Sequence, residues 1–431
     1  MSGSIADLYQ HFLKSSGVST DTRSIQKGNL FFALKGPNFN ANKLAAQALE
    51  KGAAVAVIDD ADFNTDDRCF LVEDALETLQ DLARHHRQQL DIPFVGITGS
   101  NGKTSTKELV RDVLATKYKV LATKGNLNNH IGVPLTLLSI GSNVELAIIE
   151  MGANAVGEIG FLSSIADPSH GLITNIGKAH LEGFGGIEGV IRGKSELYNH
   201  LIKKGGAVFV NARQEILRNM AKRRIKNPYF YPREGDYFHA KLVAAKPTVV
   251  FETEAGEQVT TQIHGEYNFD NICTALCMGK FFGVDADKAN QAVAAYVSEN
   301  NRSQKIERGD KTIILDAYNA NPSSMAAALK NLAEVTDEPK TAILGDMFEL
   351  GDDAPKEHAA LGQLCKDMGI DLPVFCGELM EEAAKANPEA VYCKTKEDLS
   401  LYLDQIVLPA GHVLIKGSRG MGLETIVEKI K

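Results

Sequence analysis

Short apolar runs alternate with amphipathic segments along most of this 431-residue chain. Residues 94–97 form a run that is typical of a buried parallel strand. After a glycine-rich turn, four apolar positions recur with the spacing of one helix face: Leu109, Val110, Val113 and Leu114. Because strands and helices that alternate in this way form βαβ units, the pattern predicts an α/β fold with parallel sheets.

The alternation predicts three units: a small N-terminal α/β domain at residues 1–82, a central parallel-sheet domain at 83–300 and a C-terminal Rossmann-like domain at 301–431. Strands are predicted at residues 54–58 in the first unit, at 94–97, 119–122, 146–150, 171–176 and 207–210 in the second, and at 312–315, 341–344, 374–376, 390–392 and 412–415 in the third. Helices are predicted at residues 45–51, 76–90 and 264–282, and an antiparallel patch at 237–263.

The turn at residues 98–106 has the sequence TGSNGKTST. Gly99 and Gly102 permit backbone angles and close approaches that a side chain blocks. The amides of such a loop stabilise phosphate charge, while Lys103 supplies a cation and Thr104 a hydroxyl for Mg²⁺. The glycine expected five residues before Gly102 is absent, and an ordinary strand-to-helix turn is the alternative. The strand, loop and helix in sequence nevertheless favour a phosphate-binding P-loop.

Polar residues also follow other predicted strands, at the edge where parallel sheets bind their ligands. Glu150 ends an apolar strand and is a natural Mg²⁺ ligand or water-orienting group, with a solvated or helix-capping carboxylate as the alternative. Asp316 ends a later strand in the same way. Residues 125–130 carry three asparagines and form a polar loop able to present amides to a substrate. Asn268 and Asn271 lie three apart at a helix start, where one could cap the helix and the other could contact a nucleotide base.

Composition narrows the class of protein. The net charge of −9 argues against a general nucleic-acid binder, so local groups must hold any anionic ligand. Arg23 and Lys35 are candidates, unless both are solvated surface charges. The sequence has no run of eighteen apolar residues and no N-terminal signal pattern, which predicts neither a membrane span nor secretion. Six scattered cysteines without a CxxC pair are typical of a reducing cytosol, so a cytoplasmic location is expected.

The motifs together resemble the ATP-dependent Mur ligases of peptidoglycan synthesis, across nearly the whole chain. The resemblance rests on six segments in order: TGSNGKT at 98–104, GNLNN at 125–129, EMGA at 150–153, DAYNANP at 316–322, LGDMFELG at 344–351 and KGSR at 416–419. It also accounts for the glycine spacing of the loop. Two departures concern the adenine and UDP contacts: Tyr267 stands where the family has histidine, and residues 38–42 replace an Asp-Gly-His-like turn.

The resemblance implies an ATP-dependent amide ligase that adds D-alanyl-D-alanine to UDP-N-acetylmuramoyl-tripeptide through an acyl phosphate. It implies one Mg²⁺ held by Thr104 and Glu150 and a second near His180 and Lys194, which alone would be a loop histidine and a surface lysine. Lys194 is expected to be carbamylated by CO₂, because a carbamate oxygen can bind a metal and an ammonium cannot. The enzyme is expected to act as a monomer.

The resemblance assigns further residues to three groups. The predicted catalytic residues are Lys103, Glu150, His180 and Lys194. The predicted ATP-binding residues are Thr98, Gly99, Ser100, Asn101, Gly102, Lys103, Thr104, Ser105, Asn271, Arg302 and Asp316. The predicted substrate-binding residues are Thr22, Arg23 and Gly36 for the UDP end, with Asn126, Asn128, Asn129, Asn319, Asn321, Lys416, Ser418 and Arg419.

Two other hypotheses stay open. One is a related ligase that adds a single amino acid, such as diaminopimelate or lysine, or a folylpolyglutamate-type ligase. The Asp-Asn-Pro-Arg segment expected of the diaminopimelate-adding enzyme is absent, and DAYNANP is present. The second is a P-loop binding or regulatory protein without ligase activity. Phosphate release in the presence of candidate amines distinguishes all three.

Overall fold

The computed structural model describes residues 3–298, 302–334 and 338–431. Parallel sheets covered by helices dominate these residues, as the alternating pattern predicts. Within the described residues, no helix has the length and apolarity needed to cross a bilayer.

The N-terminal part contains a parallel sheet in the order β1-β2-β5-β6 and the antiparallel pair β3-β4. Its strands are β1 Val18–Ser19, β2 Leu30–Phe32, β3 Lys35–Gly36, β4 Phe39–Asn40, β5 Val55–Ile58 and β6 Cys69–Leu71. Its helices are α1 Ile5–Lys14, α2 Ala45–Glu50 and α3 Ala75–Gln88. Strands β2 and β5 are buried at every position, as expected of strands covered on both faces.

The central part is built on a parallel sheet in the order β12-β11-β10-β7-β9-β8, followed by the antiparallel sheet β13-β14-β15. The strands are β7 Phe94–Thr98, β8 Val120–Ala122, β9 Leu146–Glu150, β10 His170–Ile173, β11 Ala207–Asn211, β12 Tyr229–Tyr231, β13 Lys241–Ala244, β14 Val250–Glu252 and β15 Gln258–Thr260. The helices are α4 Lys103–Ala115, α5 Gly132–Leu138, α6 Glu158–Ala166, α7 Leu181–Phe184, α8 Ile187–Lys194, α9 Glu196–Lys204, α10 Glu215–Arg224, α11 Tyr267–Phe281 and α12 Ala286–Ala295.

The C-terminal part has a sheet in the order β16-β17-β21-β18-β19-β20, in which β16 alone is antiparallel to its described neighbour. Its strands are β16 Gln304–Arg308, β17 Lys311–Asp316, β18 Lys340–Gly345, β19 Leu372–Cys376, β20 Val391–Cys393 and β21 Gly411–Lys416. Its helices are α13 Pro322–Ala333, α14 Ala354–Asp367, α15 Glu381–Ala386 and α16 Lys396–Gln405.

Side chains that alternate along the strands enter separate apolar cores on the two faces of each large sheet. In the central sheet, Phe94 and Ile149 belong to one core, whereas Ile148 belongs to another. In the C-terminal sheet, Ile343 and Leu344 divide in the same way. Helices therefore cover both faces of each sheet. A ligand can then bind at the carboxyl edge of the sheet.

Several predicted elements differ in extent from the observed ones. The strand predicted at 171–176 stops at Ile173, because the next residues bend to contact the P-loop. The helix predicted at 264–282 starts at Tyr267, because Gly265 takes a φ of +86°. Strand β12, which the apolar pattern did not predict, is a three-residue strand at the edge of the sheet.

Helix α3 runs without a break across positions 82 and 83, where the sequence predicts a domain boundary. The other predicted boundary, at 300 and 301, lies outside the described residues.

Near the end of α3, Arg87 donates to the carbonyls of Ala166 at 2.9 Å, Asp167 at 2.8 Å and Leu90 at 3.1 Å. Its guanidinium carbon also lies 3.8 Å from the centroid of the Phe94 ring. Arg87 thus joins α3 to the C-terminal end of α6 and to the start of β7.

We expect Arg87→Met to lower the free energy of unfolding by about 2–3 kcal/mol, because several carbonyls lose a charged donor. Arg84→Met is the matched control, since Arg84 lies one turn earlier and pairs with Asp81 on the surface of the same helix. Its expected cost is below about 1 kcal/mol. Urea denaturation of both variants measures the difference, and equal losses would contradict this role for Arg87.

Candidate active site

A cavity of about 810 Å³ lies at the carboxyl edge of the central sheet, between the loop after β7 and the C-terminal part. Seventeen of the predicted site residues line it: Ser100, Asn101, Gly102, Lys103, Thr104, Ser105, Asn126, Asn128, Asn129, Glu150, His180, Asn271, Arg302, Asp316, Asn319, Asn321 and Lys416. Residues distant in sequence therefore meet around one space.

The loop between β7 and α4 takes its shape from two glycines and from the segment after β10. Gly99 has a φ of +148°, and a Cβ there would lie 1.9 Å from Thr174 Oγ1. Thr174 Oγ1 and Asn175 Nδ2 donate to the Asn101 carbonyl at 2.6 and 3.0 Å. Gly102, with a φ of +75°, precedes α4, and among the described residues no side chain caps this helix N-terminus. The positive end of α4 is therefore directed to the cavity, which suits a phosphate group.

Lys103 adds a cation to this loop. Its Nζ donates to the carbonyls of Gly99 at 2.8 Å and Ser100 at 3.3 Å. Burial lowers the pKa of the Lys103 ammonium, Glu150 offsets part of the shift, and the charge of Arg302 adds to the lowering. Two cations from different parts of the chain thus act on the same cavity, where an anion would relieve their repulsion.

The Glu150 carboxylate lies at the end of β9, beside the N-terminus of α4. It is only 1% exposed, and Thr104 Oγ1 donates to it at 3.0 and 3.2 Å. Asn128 Nδ2 donates to Oε1 at 2.8 Å, and Lys107 Nζ lies 3.4 Å from Oε2. Lys107 was not predicted as a site residue, because its contact with Glu150 depends on the pairing of β7 with β9 and not on its neighbours in sequence.

The described residues contain no cluster of three or more His, Cys, Asp or Glu side chains suited to a metal ion. Mg²⁺ often takes one or two protein oxygens and completes its octahedron with phosphate and water. The pair formed by the Thr104 hydroxyl and the Glu150 carboxylate, beside an uncapped helix N-terminus, fits that donor set.

His180 and Lys194 occupy different positions relative to the cavity. His180 lines it, has a φ of +54°, and its Nδ1 contacts the Glu349 carboxylate from the C-terminal part. Lys194 is 1% exposed, and its Nζ donates at 3.2 Å to the carbonyl of Ala153, a residue of the cavity wall. Burial, with a smaller contribution from the charge of Lys103, lowers the pKa of Lys194 to about 7. Much of this lysine is therefore a neutral amine at neutral pH.

The asparagines at the start of α11 bond to each other instead of capping the helix. Asn271 Nδ2 donates to Asn268 Oδ1 at 2.8 Å, and Thr106 Oγ1 donates to Asn271 Oδ1 at 3.0 Å. Glu266 is the residue at the cap position, and it makes no side-chain cap bond. The interpretation of one asparagine as a cap is therefore wrong, because Asn268 and Asn271 both lie inside the helix, which begins at Tyr267.

The C-terminal part contributes a connected polar group to the cavity. Lys416 Nζ donates to Asp316 Oδ2 at 2.6 Å, and Ser303 N donates to Asp316 Oδ1 at 3.2 Å. Asn321 Nδ2 donates to Asn101 Oδ1 at 2.7 Å, a direct bond between the C-terminal part and the P-loop. The strand-end residues of two sheets therefore face each other across one cavity.

Arg302 is stacked on Tyr318, which was not among the predicted site residues. Its guanidinium carbon lies 3.6 Å from the centroid of the Tyr318 ring, and both residues line the cavity. The position of Tyr318 within DAYNANP was the available signal.

Other predicted residues lie outside the lining of the cavity. Ser418 Oγ accepts from Phe348 N at 2.9 Å, and Arg419 pairs with Glu424 at 2.9 Å. The N-terminal residues are placed differently again: Thr22 is buried, Arg23 pairs with Asp21 at 2.7 Å, and Gly36 is exposed in the β3-β4 pair. Thr98 and Gly99 form the strand end beneath the P-loop.

The comparisons with known proteins agree with this arrangement. Residues 97–279 match the Mur ligase middle domain, and residues 301–419 match the Mur ligase glutamate ligase domain. A relative from Bacillus subtilis (strain 168) is 35% identical over 426 residues, with 96% of this chain and 93% of the relative covered.

Two solved structures extend the likeness to three dimensions. A MurF crystal structure from Acinetobacter baumannii aligns with a TM-score of 0.88 at 29% identity, over 99% of this chain and 98% of the other. A MurF ligase from Thermotoga maritima in complex with ADP aligns with a TM-score of 0.86 at 27% identity, over 97% of each chain. The predicted α/β fold is thereby confirmed.

The fold and the P-loop site together define an ATP-dependent amide ligase class, and the chain belongs to the Mur ligase family. The predicted family is confirmed. Within that family, the Bacillus subtilis relative bears the name UDP-N-acetylmuramoyl-tripeptide–D-alanyl-D-alanine ligase, and MurF is the name of the two aligned structures.

We expect Gly99→Ala to abolish measurable ADP binding, because the new Cβ would collide with Thr174 Oγ1 and displace the loop. Gly235→Ala is the control for backbone strain alone. Gly235 also has a positive φ, +83°, but a Cβ there would meet no heavy atom of the described residues within 4 Å. The control should lose about 1 kcal/mol of stability and still bind ADP. Calorimetric titration decides, and normal ADP binding by Gly99→Ala would contradict this loop geometry.

Proposed function

We propose that the protein joins D-alanyl-D-alanine to UDP-N-acetylmuramoyl-tripeptide, with ATP as the source of energy, in peptidoglycan precursor synthesis. The observation that carries the proposal is the meeting of the P-loop, the Glu150–Thr104 pair and the Asp316–Lys416 pair around one cavity. Relatives that cover nearly the whole chain bear the name of this ligase. We further propose that the enzyme acts as a monomer in the cytoplasm.

The chemistry begins with a carboxylate, which is a poor electrophile because oxide is a poor leaving group. The terminal carboxylate oxygen of the tripeptide attacks the γ-phosphorus of ATP, and ADP leaves. The amine of D-alanyl-D-alanine then attacks the acyl carbon, a tetrahedral intermediate forms, and phosphate leaves as the amide forms. The amine proton passes to solvent or to a base in the cavity.

In this proposal each part of the site acts on the transferring phosphoryl group. The loop amides and Lys103 bind the phosphates and stabilise the charge that develops on them. Thr104 and Glu150 hold Mg²⁺, which when bound neutralises phosphate charge and orients the group for attack. Asn271 contacts the adenine, and Arg302 and Asp316 approach the nucleotide from the C-terminal part.

The acceptor substrate is proposed to extend across the remaining parts of the chain. Thr22, Arg23 and Gly36 bind the UDP end, and the asparagines of 126–129 lie along the path towards the P-loop. Asn319, Asn321, Lys416, Ser418 and Arg419 are the proposed contacts of the C-terminal part with substrate. The bond between Asn321 and Asn101 supports an active site shared between two parts of the chain.

A second metal is proposed beside His180, with Lys194 as a carbamate ligand. Carbamylation requires a neutral amine: Nζ attacks the carbon of CO₂, one proton is released, and an anionic carboxylate remains on the nitrogen. The pKa of about 7 at Lys194 supplies that neutral amine under ordinary conditions. The carbamate also gives the buried lysine an anionic oxygen of the kind that Mg²⁺ prefers as a ligand.

Phosphate release should require both UDP-N-acetylmuramoyl-tripeptide and D-alanyl-D-alanine. Lys103→Ala should lower kcat/KM by about 10²–10³-fold, because a preorganised cation is lost from the transition state. Lys117→Ala is the control, since Lys117 follows the same helix but donates to the carbonyls of Phe282 and Gly283. Stimulation by a single amino acid and not by the dipeptide would contradict the proposed acceptor, and near-normal turnover of Lys103→Ala would contradict the proposed phosphate site.

Carbamylation of Lys194 should increase as the pH rises through about 7, since the neutral amine predominates above that pKa. An ordinary lysine, with a pKa of about 10.4, would react appreciably only at a much higher pH. Carbon-13 NMR of the enzyme in ¹³C-bicarbonate measures the carbamate, and Lys194→Met should lack the signal. A signal that persists in Lys194→Met, or no signal from the wild type at pH 8, would contradict the assignment.

A further inference from the structure

A second lysine of α4 lies behind the Glu150 carboxylate, and the proposed reaction gives it no role. Lys107 Nζ is 3.4 Å from Glu150 Oε2, and the two side chains are 3% and 2% exposed. Lys107 lines a different cavity, of about 650 Å³, beside strand β8. It therefore approaches the carboxylate from the side away from the nucleotide cavity.

Helix geometry explains why two groups of α4 reach one carboxylate. Thr104 and Lys107 are three residues apart and share a face of the helix. Both point to the end of β9, where Thr104 Oγ1 donates to Glu150 and Lys107 supplies the counter-charge. Asn128 Nδ2 donates to Oε1 at 2.8 Å, whereas Lys107 faces Oε2. Thr104 Oγ1 lies within hydrogen-bond distance of both oxygens.

A buried carboxylate without a cation is strongly unfavourable, and neutral donors alone compensate only part of the cost. Thr104 and Asn128 are neutral, so Lys107 is the cation in direct contact with Glu150 among the described residues. Loss of that cation would favour rotation of the carboxylate away from its present orientation. This rotation would weaken the binding of any metal ion that Glu150 coordinates.

We propose that Lys107 is a positioning residue for the Mg²⁺ site: it fixes the charge and orientation of Glu150 from behind, so that the carboxylate is ready for the metal. The inference rests on the proposed function, which assigns Glu150 as a Mg²⁺ ligand. Partners of metal ligands in other proteins change metal affinity about 10–100-fold when they are removed. Lys107 acts in this way through Glu150, without contact to substrate.

The test measures how ADP binding depends on the Mg²⁺ concentration. The rise in the thermal unfolding midpoint reports the binding. Mg²⁺ is titrated at a fixed concentration of ADP, and the half-saturating concentration is compared among variants. Lys107→Met should raise it about 10–100-fold. Arg111→Met is the matched control, because Arg111 lies one turn later, lines the same second cavity and pairs with Asp112 at 2.7 Å. Its half-saturating Mg²⁺ concentration should equal that of the wild type.

Two further variants separate positioning from a purely structural role. Lys107→Arg retains the cation, so its half-saturating Mg²⁺ concentration should stay near that of the wild type. This variant can be measured even if Lys107→Met does not fold. In a Glu150→Gln background, Lys107→Met should cause no further rise in the half-saturating Mg²⁺ concentration, because the carboxylate that Lys107 positions is no longer charged.

Two results would overturn the inference. One is a Lys107→Met protein that melts earlier but has an unchanged half-saturating Mg²⁺ concentration, since the ion pair would then be only structural. The other is a Lys107→Arg protein that folds and whose half-saturating Mg²⁺ concentration rises as much as that of Lys107→Met. If the wild type itself shows no stabilisation by Mg²⁺ with ADP, the assignment of Glu150 as a metal ligand fails, and that outcome is distinct from a failure of Lys107 alone.

Discussion

The pairing of β7 with β9 is the constraint on which the site depends. In that parallel register Ile97 lies opposite Glu150, so the carboxylate emerges directly beside the loop that follows β7. Helix α4 begins directly after that loop, and its residues Thr104 and Lys107 both point to Glu150. A shift of the register by one residue would turn Glu150 to the other face of the sheet and separate the groups.

Local cations compensate for a chain that is acidic overall. The net charge is −9, yet Lys103 and Arg302 act on one cavity and Lys107 lies directly behind it. Polyphosphate binding in such a protein depends on short-range geometry rather than on the field of the whole molecule. Several bonds join the two large parts, among them those from Asn321 to Asn101 and from Lys178 N to Ser323, and they hold the cations and the loop amides around the same space.

The sequence predicts strand ends well and side-chain partnerships poorly. Glu150 and Asp316 could be identified because an apolar strand precedes each of them, and a carboxyl strand end in an α/β sheet is a ligand position. Lys107 could not be identified from its own neighbourhood, because its partner is 43 residues away and meets it only through the sheet register. The pair of Asn268 and Asn271 shows the opposite error, since a local capping rule was applied where a contact with Thr106 decides the geometry. Strand β12 is too short for its apolar pattern to stand out from a loop.

The most direct measurement is a crystal structure with Mn²⁺ and a non-hydrolysable ATP analogue, in which anomalous scattering locates the metal. The account predicts a Mn²⁺ peak in coordination distance of the Glu150 carboxylate and the Thr104 hydroxyl, with the phosphates on the loop around Lys103. A triphosphate bound away from Lys103, or a metal that contacts neither Thr104 nor Glu150, would contradict it.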